Sequence, residues 1–168
     1  MIPVLRTERL LLRAFTEADL DAFAALQADP EFMRHLGVGE SAGKPRTRGE
    51  TWIAMAVQLG HWQLRGCGFW AIEREGRFIG RAGILHPEGW PMPELAYGLA
   101  PAEWGRGLAF EAASAVLGWA RGTLPTPVAS FIHPDNARSR RLAQRLGATQ
   151  DGLIELKGVT AELWRHRA

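Results

Sequence analysis

Residues 94–133 constrain the fold of this chain more than any other part of its sequence. They open with an apolar run that predicts a strand over 94–100, and they close with VASFIH, which predicts a strand over 128–133. Between these runs, apolar residues recur at helical spacing from Leu108 to Trp119. A helix that connects two strands of one sheet makes them parallel, with a right-handed crossover.

The elements that surround this unit predict antiparallel pairing. A short turn at Gly76 joins the runs FWAIERE and RFIGRAGIL, as in a hairpin. A last helix over 136–146 stops at Gly147, which is a suitable C-terminal cap. Two more strands are predicted after it, over 151–156 and 158–166. The predicted sheet is therefore mixed.

The N-terminal part of the chain predicts one strand followed by two helices. The strand lies over 9–15. Each helix begins at a pair of residues typical of a capping box, Thr16 with Asp19 and Thr47 with Glu50. The second helix places four apolar residues on one face: Trp52, Met55, Ala56 and Leu59.

The length of 168 residues suits one domain with one core. No internal repeat, linker or low-complexity tract divides the sequence. We therefore predict a single α/β domain over 1–168. Its central sheet is expected to be mixed and mostly antiparallel, with one parallel strand pair and with helices on its flanks.

Composition and charge argue against several classes of protein. No run of about 18 uncharged apolar residues is present, so no membrane span is expected. A net charge of +2 is too small to indicate nucleic-acid binding. The start MIPVLRTERL does not resemble a secretion signal and the lone Cys67 suits a reducing compartment, so we expect a cytoplasmic protein. The five histidines show no metal-ligand spacing, and no metal is expected.

The turn that leads into the crossover helix, within YGLAPAEWGRGLAFEA, predicts an anion site. The first amides of a helix lack internal partners and lie at the positive end of its dipole. Gly105 and Gly107 leave room for a phosphate to approach these amides, and Ala109 is nearly as small. The alternative is that the glycines only ease a tight turn. A dinucleotide fingerprint would need glycine in place of Phe110, and no P-loop sequence is present.

Three motifs extend this interpretation. PAEWGRGLA, which opens a helix after the strand ELAYGLA, resembles the acyl-CoA pyrophosphate loop of the GCN5-related N-acetyltransferases. Trp104 stands where that family more often has Gln or Arg. HPDNARSRRLAQRLGA and the opening TERLLLRAFTEADLDAF resemble the branch of the family that acetylates the N-termini of ribosomal proteins. The resemblance covers nearly the whole chain.

The resemblance implies acetyl-CoA as the co-substrate, with its pantetheine arm inserted between two splayed parallel strands. The amide of Leu99 would face the thioester, and a strand bulge is expected at Gly98. Further cofactor contacts are implied for eight residues: Trp104, Gly105, Arg106, Gly107, Leu108, Ala109, Asn136 and Ser139. The alternative for Asn136, or for its neighbour Asp135, is simply to cap the late helix.

The resemblance also implies direct attack of a primary amine on the thioester. Glu94 is the candidate base, acting through water, because strand alternation puts it on the same face as Gly98. An exposed carboxylate at the strand end is the alternative. Ser139 is the candidate proton donor to the thiolate. Many family members use a tyrosine on the late helix for this step, whereas Tyr97, the only tyrosine here, lies on the central strand.

The acceptor is expected to be a primary amine, on a protein N-terminus or on a small molecule. Four tryptophans fall in segments that flank the acceptor groove in this family: Trp52, Trp62, Trp70 and Trp90. Core packing is the alternative for at least half of them. A non-catalytic module that binds or senses acyl-CoA is the alternative function. The chain is expected to be a monomer or a homodimer.

Overall fold

The computed structural model describes residues 1–167. The strands are β1 (Leu5–Arg6), β2 (Leu11–Arg13), β3 (Phe69–Arg74), β4 (Arg77–Leu85), β5 (Glu94–Leu99), β6 (Ala129–Ile132), β7 (Thr149–Leu156) and β8 (Val159–Arg165). The α-helices are α1 (Leu20–Gln27), α2 (Pro30–Met33), α3 (Arg48–Arg65), α4 (Leu108–Thr123) and α5 (Ala137–Arg145).

One sheet contains all of these strands, in the order β1-β2-β3-β4-β5-β6-β8-β7. β5 and β6 are parallel, and the other neighbouring strands are antiparallel. The crossover between the parallel strands is α4. The prediction of a mixed, mostly antiparallel sheet with one parallel pair and flanking helices is confirmed.

β5 and β6 lie side by side only where they begin. One pair of residues, Glu94 and Ala129, joins them in register. At the same place the Ala129 amide donates a hydrogen bond to the Pro93 carbonyl at 3.0 Å. Farther along, β6 stays paired with β8 but not with β5. The two parallel strands therefore diverge and leave a V-shaped gap in the middle of the sheet.

α4 covers one face of the sheet. Leu95 and Leu99 of β5 belong there to the same buried cluster as Val116 of α4. Three tryptophan rings pack edge to face in this cluster, with centroids 4.6 to 5.5 Å apart: Trp62, Trp70 and Trp119. Such aromatic packing adds to the stabilisation by burial.

α1 and α3 cover the opposite face. Phe23 and Met55 pack there against Phe69 of β3. Ala96 of β5 reaches the same cluster. Because side chains alternate along a strand, Glu94 and Gly98 also point to the α1 and α3 side of the sheet.

The predicted order of elements is found, with β1 and α2 in addition. β1 has two residues and α2 has four, so neither is long enough to show an apolar period in the sequence. Both capping boxes form, at Thr16 with Asp19 on a 3-10 turn and at Thr47 with Glu50 at the start of α3.

The predicted apolar face of α3 is wrong by one position. Of its four residues only Met55 is buried, and Trp52 is 49% exposed. The buried side instead includes Thr51, Gln58 and Trp62. Two of these three side chains are polar, which is why the apolar pattern pointed to a neighbouring face.

The predicted bulge at Gly98 is also wrong. β4 and β5 keep one register from Gly80 with Leu99 to Leu85 with Glu94. Gly98 is needed for space, because a Cβ atom at this position would lie 2.9 Å from the ring of Phe32. The gap in the sheet therefore arises from the divergence of β6 and not from a distortion of β5.

Among residues 1–167, no helix has the length and apolar character needed to cross a bilayer. The same residues contain no group of three or more His, Cys, Asp or Glu side chains arranged to hold a metal ion.

Candidate active site

The V-shaped gap exposes backbone groups of β5. The Ala100 amide donates to the Ile79 carbonyl at 2.8 Å, and the bonding direction alternates along an antiparallel ladder. The amides and carbonyls of Tyr97 and Leu99 therefore point away from β4 and into the gap. The Leu99 amide faces the gap, as its predicted role requires.

A serine side chain closes the apex of the gap. Ser130 of β6 donates its hydroxyl hydrogen to the Leu95 carbonyl at 2.8 Å, in place of a bond between the strands. The Ser130 oxygen lies 2.9 Å from Nε2 of His166, which therefore donates to it. Burial lowers the pKa of His166 to about 4, so its imidazole is neutral. These contacts hold the point where β5 and β6 diverge.

An open cleft runs along the V-shaped gap and the glycine turn, between residues of α3 and α5. Glu94 lies half-buried beside the apex of the gap and lines this cleft. The Trp90 indole donates to its Oε2 at 2.8 Å. Burial raises the pKa of Glu94 to about 7, against the opposing effects of the Trp90 hydrogen bond, the Phe131 amide and the Arg81 charge. A carboxyl with such a pKa can gain and lose a proton near neutral pH. Glu94 is therefore not the exposed strand-end carboxylate that was the alternative.

The glycine turn forms an open cradle at the start of α4. Gly105 and Gly107 adopt left-handed backbone conformations, with φ of 76° and 77°. The amides of residues 105–110 have no hydrogen-bond acceptor within residues 1–167, and the Glu111 amide is the first to bond back, to Gly107. Residues 105–107 are exposed. The cradle is thus open to solvent and rich in free amide donors, as an anion site requires.

Two contacts fix the cradle beside the end of β5. The Trp104 indole donates to the Leu99 carbonyl at 2.8 Å, so its N–H group is not free to bind a ligand. From the other side, Arg9 donates to the Arg106 carbonyl at 3.0 Å and pairs with Glu111 at 2.6 Å. The side chain of Arg106 is exposed at the rim.

α5 forms the opposite wall of the gap. Asn136 Oδ1 accepts the Ser139 amide at 3.1 Å, so Asn136 caps α5. The Ser139 hydroxyl lies 2.9 Å from the Tyr97 hydroxyl. Burial raises the pKa of Tyr97 to about 12, so Tyr97 keeps its proton at neutral pH. The tyrosine of the central strand therefore reaches across the gap to the predicted proton donor.

Arginines of α5 surround the mouth of the cradle. Arg138 stacks over Trp104 and Arg145 over Phe110, with guanidinium carbons 4.3 and 4.5 Å from the ring centroids. Both arginines line the cleft and add positive charge there. Arg140 instead pairs with a carboxylate of β8 at 3.5 Å.

The four tryptophans expected near the acceptor groove divide between the core and the cleft. Trp62 and Trp70 are buried in the core. Trp90 lines the cleft and holds Glu94. Trp52 is half-exposed on α3.

Sequence reasoning did not anticipate three features of the site. They are the bond from Trp90 to Glu94, the contact between Tyr97 and Ser139, and the closure of the apex by Ser130. Strand alternation placed Tyr97 on the face opposite to Glu94, but no local signal in the sequence showed which residue it would meet.

The parallel strand pair that diverges beside an open glycine cradle is the arrangement that the sequence resemblance implied for an acyltransferase that uses acyl-CoA, and the following match shows this class. Residues 9–149 match an acetyltransferase (GNAT) domain. The chain belongs to the GNAT acetyltransferase family.

Individual relatives agree with this assignment. The crystal structure of the acetyltransferase from Agrobacterium tumefaciens str. C58 is 33% identical, covers 100% of this chain and 96% of its own, and superposes with a TM-score of 0.87. The uncharacterised N-acetyltransferase YoaA of Bacillus subtilis (strain 168) is 28% identical over 160 residues, which are 92% of this chain and 87% of YoaA.

A structure with bound coenzyme A shares the same fold. RimL, the ribosomal L7/L12 alpha-N-protein acetyltransferase solved in complex with coenzyme A, has a TM-score of 0.79 and 18% identity over 98% of this chain and 97% of its own. The family and this fold support acetyl-CoA as the co-substrate of the chain.

Proposed function

We propose that this chain transfers the acetyl group of acetyl-CoA to a primary amine, on a protein N-terminus or on a small molecule. The amine nitrogen forms a bond to the thioester carbon, and the carbon–sulfur bond breaks. The nitrogen loses a proton and the thiolate gains one, so the products are an amide and the free thiol of coenzyme A. No covalent intermediate forms on the enzyme.

The observation that supports this proposal best is that free backbone donors occur in two neighbouring places, at Tyr97 and Leu99 of β5 and at residues 105–109 of the cradle. The pantetheine arm would pair with Tyr97 and Leu99 in the gap, as an added strand would. The pyrophosphate would bind the free amides of residues 105–109. The Leu99 amide would donate to the thioester oxygen and stabilise the negative charge that develops there.

Glu94 would accept the proton that the amine loses, directly or through a water molecule. Its side chain lies on the α1 and α3 face of the sheet, whereas α4 covers the other face. The acceptor would therefore approach the gap from the α1 and α3 side. A pKa of about 7 leaves a substantial fraction of Glu94 ionised at neutral pH.

Ser139 would protonate the leaving thiolate, and Tyr97 would hold the Ser139 hydroxyl in position. Their oxygens lie 2.9 Å apart, so one hydroxyl donates to the other. The Asn136 side chain fixes the first turn of α5 and leaves its amide nitrogen free for the cofactor arm.

The test combines turnover with binding. Thiol release from acetyl-CoA is measured across peptides with varied N-terminal residues and across small primary amines, and mass spectrometry identifies the acetylated product. We expect one acetylated amine per thiol for at least one acceptor, and a rise in melting temperature with coenzyme A. Binding of coenzyme A without turnover would favour the non-catalytic module. No melting shift at saturating coenzyme A would contradict the cradle assignment.

A further inference from the structure

Arg81 lines the cleft, and no carboxylate of residues 1–167 lies within ion-pair distance of it. It is on β4, directly opposite Gly98 of β5, and it points to the α1 and α3 side. Its guanidinium carbon lies 4.3 Å from the ring centroid of Phe69 and 5.7 Å from that of Phe23. Within residues 1–167 the guanidinium forms no hydrogen bond and no ion pair. A half-buried cation of this kind is unfavourable unless an anion joins it.

The contacts of Arg81 orient it toward the acceptor. Its guanidinium stacks on aromatic rings of the α1 and α3 cluster, whereas the glycine cradle caps α4 on the other face. Gly98, directly opposite Arg81, has no side chain that could pair with the guanidinium. The residue therefore faces the side from which the amine would enter.

Other basic side chains line the same cleft. Arg46 and Lys44 lie in the segment between α2 and α3, and neither forms an ion pair within residues 1–167. Burial lowers the pKa of Arg81 most, the Arg46 charge lowers it further, and the more distant carboxylate of Glu94 raises it by less. The carboxylate of Glu50 accepts hydrogen bonds from Thr47 in the capping box, at 2.7 and 2.8 Å, and does not neutralise Arg81.

A second polar group in the cleft lacks a partner. Gln58 of α3 is 8% exposed, lines the cleft, and has an Oε1 atom without a hydrogen bond among the described residues. A buried amide oxygen without a donor costs free energy, and a donor from a bound ligand would remove that cost. Arg81 and Gln58 thus independently indicate a polar ligand on this side of the gap.

We infer that the acceptor amine carries a carboxylate, and that this carboxylate binds the Arg81 guanidinium on the Phe69 ring, with Arg46 as a second cation. The amine end of the same molecule lies toward Glu94. The acceptor class is therefore an amino acid, or a peptide with an acidic side chain near its N-terminus. This inference rests on the proposed function.

The register of β4 and β5 limits the length of the acceptor. Glu94 precedes Gly98, the partner of Arg81, by four positions on β5, which is roughly 13 Å along the strand. Both side chains extend into the cleft, so the ligand must bridge a shorter distance. A series of amino acids with increasing separation of amine and carboxylate measures that distance.

The experiment compares acids with their amides. Glycine, β-alanine and γ-aminobutyrate are assayed beside their carboxamides. Peptides with Asp or Glu at the second position are assayed beside the same peptides with Asn or Gln. We expect the wild type to favour the acid by about 10- to 100-fold in kcat/KM, as for other hydrogen bonds to charged groups. Arg81→Gln should abolish this preference by slowing the acids alone. A larger preference for the acid among the amino acids identifies an amino acid as the acceptor, and a larger preference among the peptides identifies an acidic peptide.

Arg77→Gln is the matched control. Arg77 lies on the same strand and is 71% exposed in its side chain, so the acid preference should persist. Arg81→Lys keeps the cation and should retain part of the preference. The KM for acetyl-CoA should stay unchanged in all three variants. Melting temperatures show that each variant is folded.

Three results would overturn the inference. They are equal rates for acids and amides in the wild type, equal losses for both in Arg81→Gln, and an increased KM for acetyl-CoA, which would assign Arg81 to the cofactor. If no primary amine is acetylated, either in this experiment or in the broader panel that tests the proposed function, the proposed function fails instead. Binding of the acids to the coenzyme A complex, measured by calorimetry for wild type and Arg81→Gln, then still decides the role of Arg81.

Discussion

Glu94 and its surroundings determine the pH range in which the proposed reaction can proceed. The Trp90 indole fixes the carboxyl at the apex of the gap, and burial brings its pKa to about 7. Only the ionised form can accept a proton from the amine. The rate should therefore rise with pH through about 7, because the base is formed in that range.

Glu94→Gln tests this role directly. We expect kcat/KM to fall by about 100- to 10,000-fold, the usual contribution of a general base. The pH profile of the variant should follow only the ionisation of the acceptor amine. The control is Glu88→Gln, since Glu88 lies in the same loop as Trp90 and its side chain is 96% exposed. A wild-type profile without a step near pH 7 would contradict the assignment.

The pair of Tyr97 and Ser139 is tested by a double-mutant cycle. Ser139→Ala should lower kcat by about 100-fold, since it removes the proton donor to the thiolate. Tyr97→Phe should lower kcat less, because it removes only the partner of the donor. The double variant should be no slower than Ser139→Ala alone, because both changes remove one interacting unit. Additive losses in kcat, measured with saturating substrates, would mean that the two hydroxyls act separately.

At the scale of elements, the start and the interior of α4 place different demands on glycine. Gly107 begins α4 with a φ of 77°, where a residue with a Cβ atom is strained. Gly118 lies within the helix, and a Cβ atom there would have no neighbour within 4 Å. The same substitution should therefore have opposite effects at these two positions.

Gly107→Ala should destabilise the protein by about 1 kcal/mol and should raise the KM for acetyl-CoA, because strain in the left-handed turn would displace the free amides of the cradle. Gly118→Ala should stabilise it by about 0.5 to 1 kcal/mol without changing the KM. Urea unfolding and steady-state kinetics measure both effects. An unchanged KM in Gly107→Ala would argue against pyrophosphate binding at this turn.

In the whole molecule, Glu94 and His166 have opposite effects on the pH dependence of stability. The pKa of Glu94 is raised from 4.5 to about 7, so the folded state holds an extra proton in this range and stability falls as pH rises. The pKa of His166 is lowered from 6.5 to about 4, so the unfolded state holds the extra proton and stability rises with pH. Each pKa shift changes the free energy of unfolding by about 3 kcal/mol across its pH range. The two changes have opposite signs and nearly cancel between pH 4.5 and 6.5.

Removing either titrating group should reveal the effect of the other on the pH dependence of stability. Relative to wild type, Glu94→Gln should gain stability as the pH rises from 4.5 to 6.5, and His166→Gln should lose it, each by about 3 kcal/mol. The glutamine amide at position 166 can still donate to Ser130, so the apex contact is retained. Free energies of unfolding in urea at several pH values measure both slopes. If the free energy of unfolding changes with pH in the same way in both variants and in wild type, then burial does not shift the pKa values of Glu94 and His166.

Much of the fold follows from local patterns in the sequence. The strand, helix and strand over residues 94–133 required a parallel pair, and the turn at Gly76 required a hairpin. The α3 face was predicted wrongly because the polar side chains of Thr51 and Gln58 are buried. Local patterns report the polarity of a residue, whereas its burial depends on the elements that pack above it.

The sequence alone determined the order of the elements, the mixed sheet, the glycine turn at the head of α4 and the family resemblance, because period, turn chemistry and motifs are properties of neighbouring residues. Only the tertiary structure decided the meeting of Tyr97 with Ser139, the bond from Trp90 to Glu94, and the unpaired state of Arg81. These features join residues from different elements. Their distances and burial, and hence their pKa values, result from packing across the whole domain.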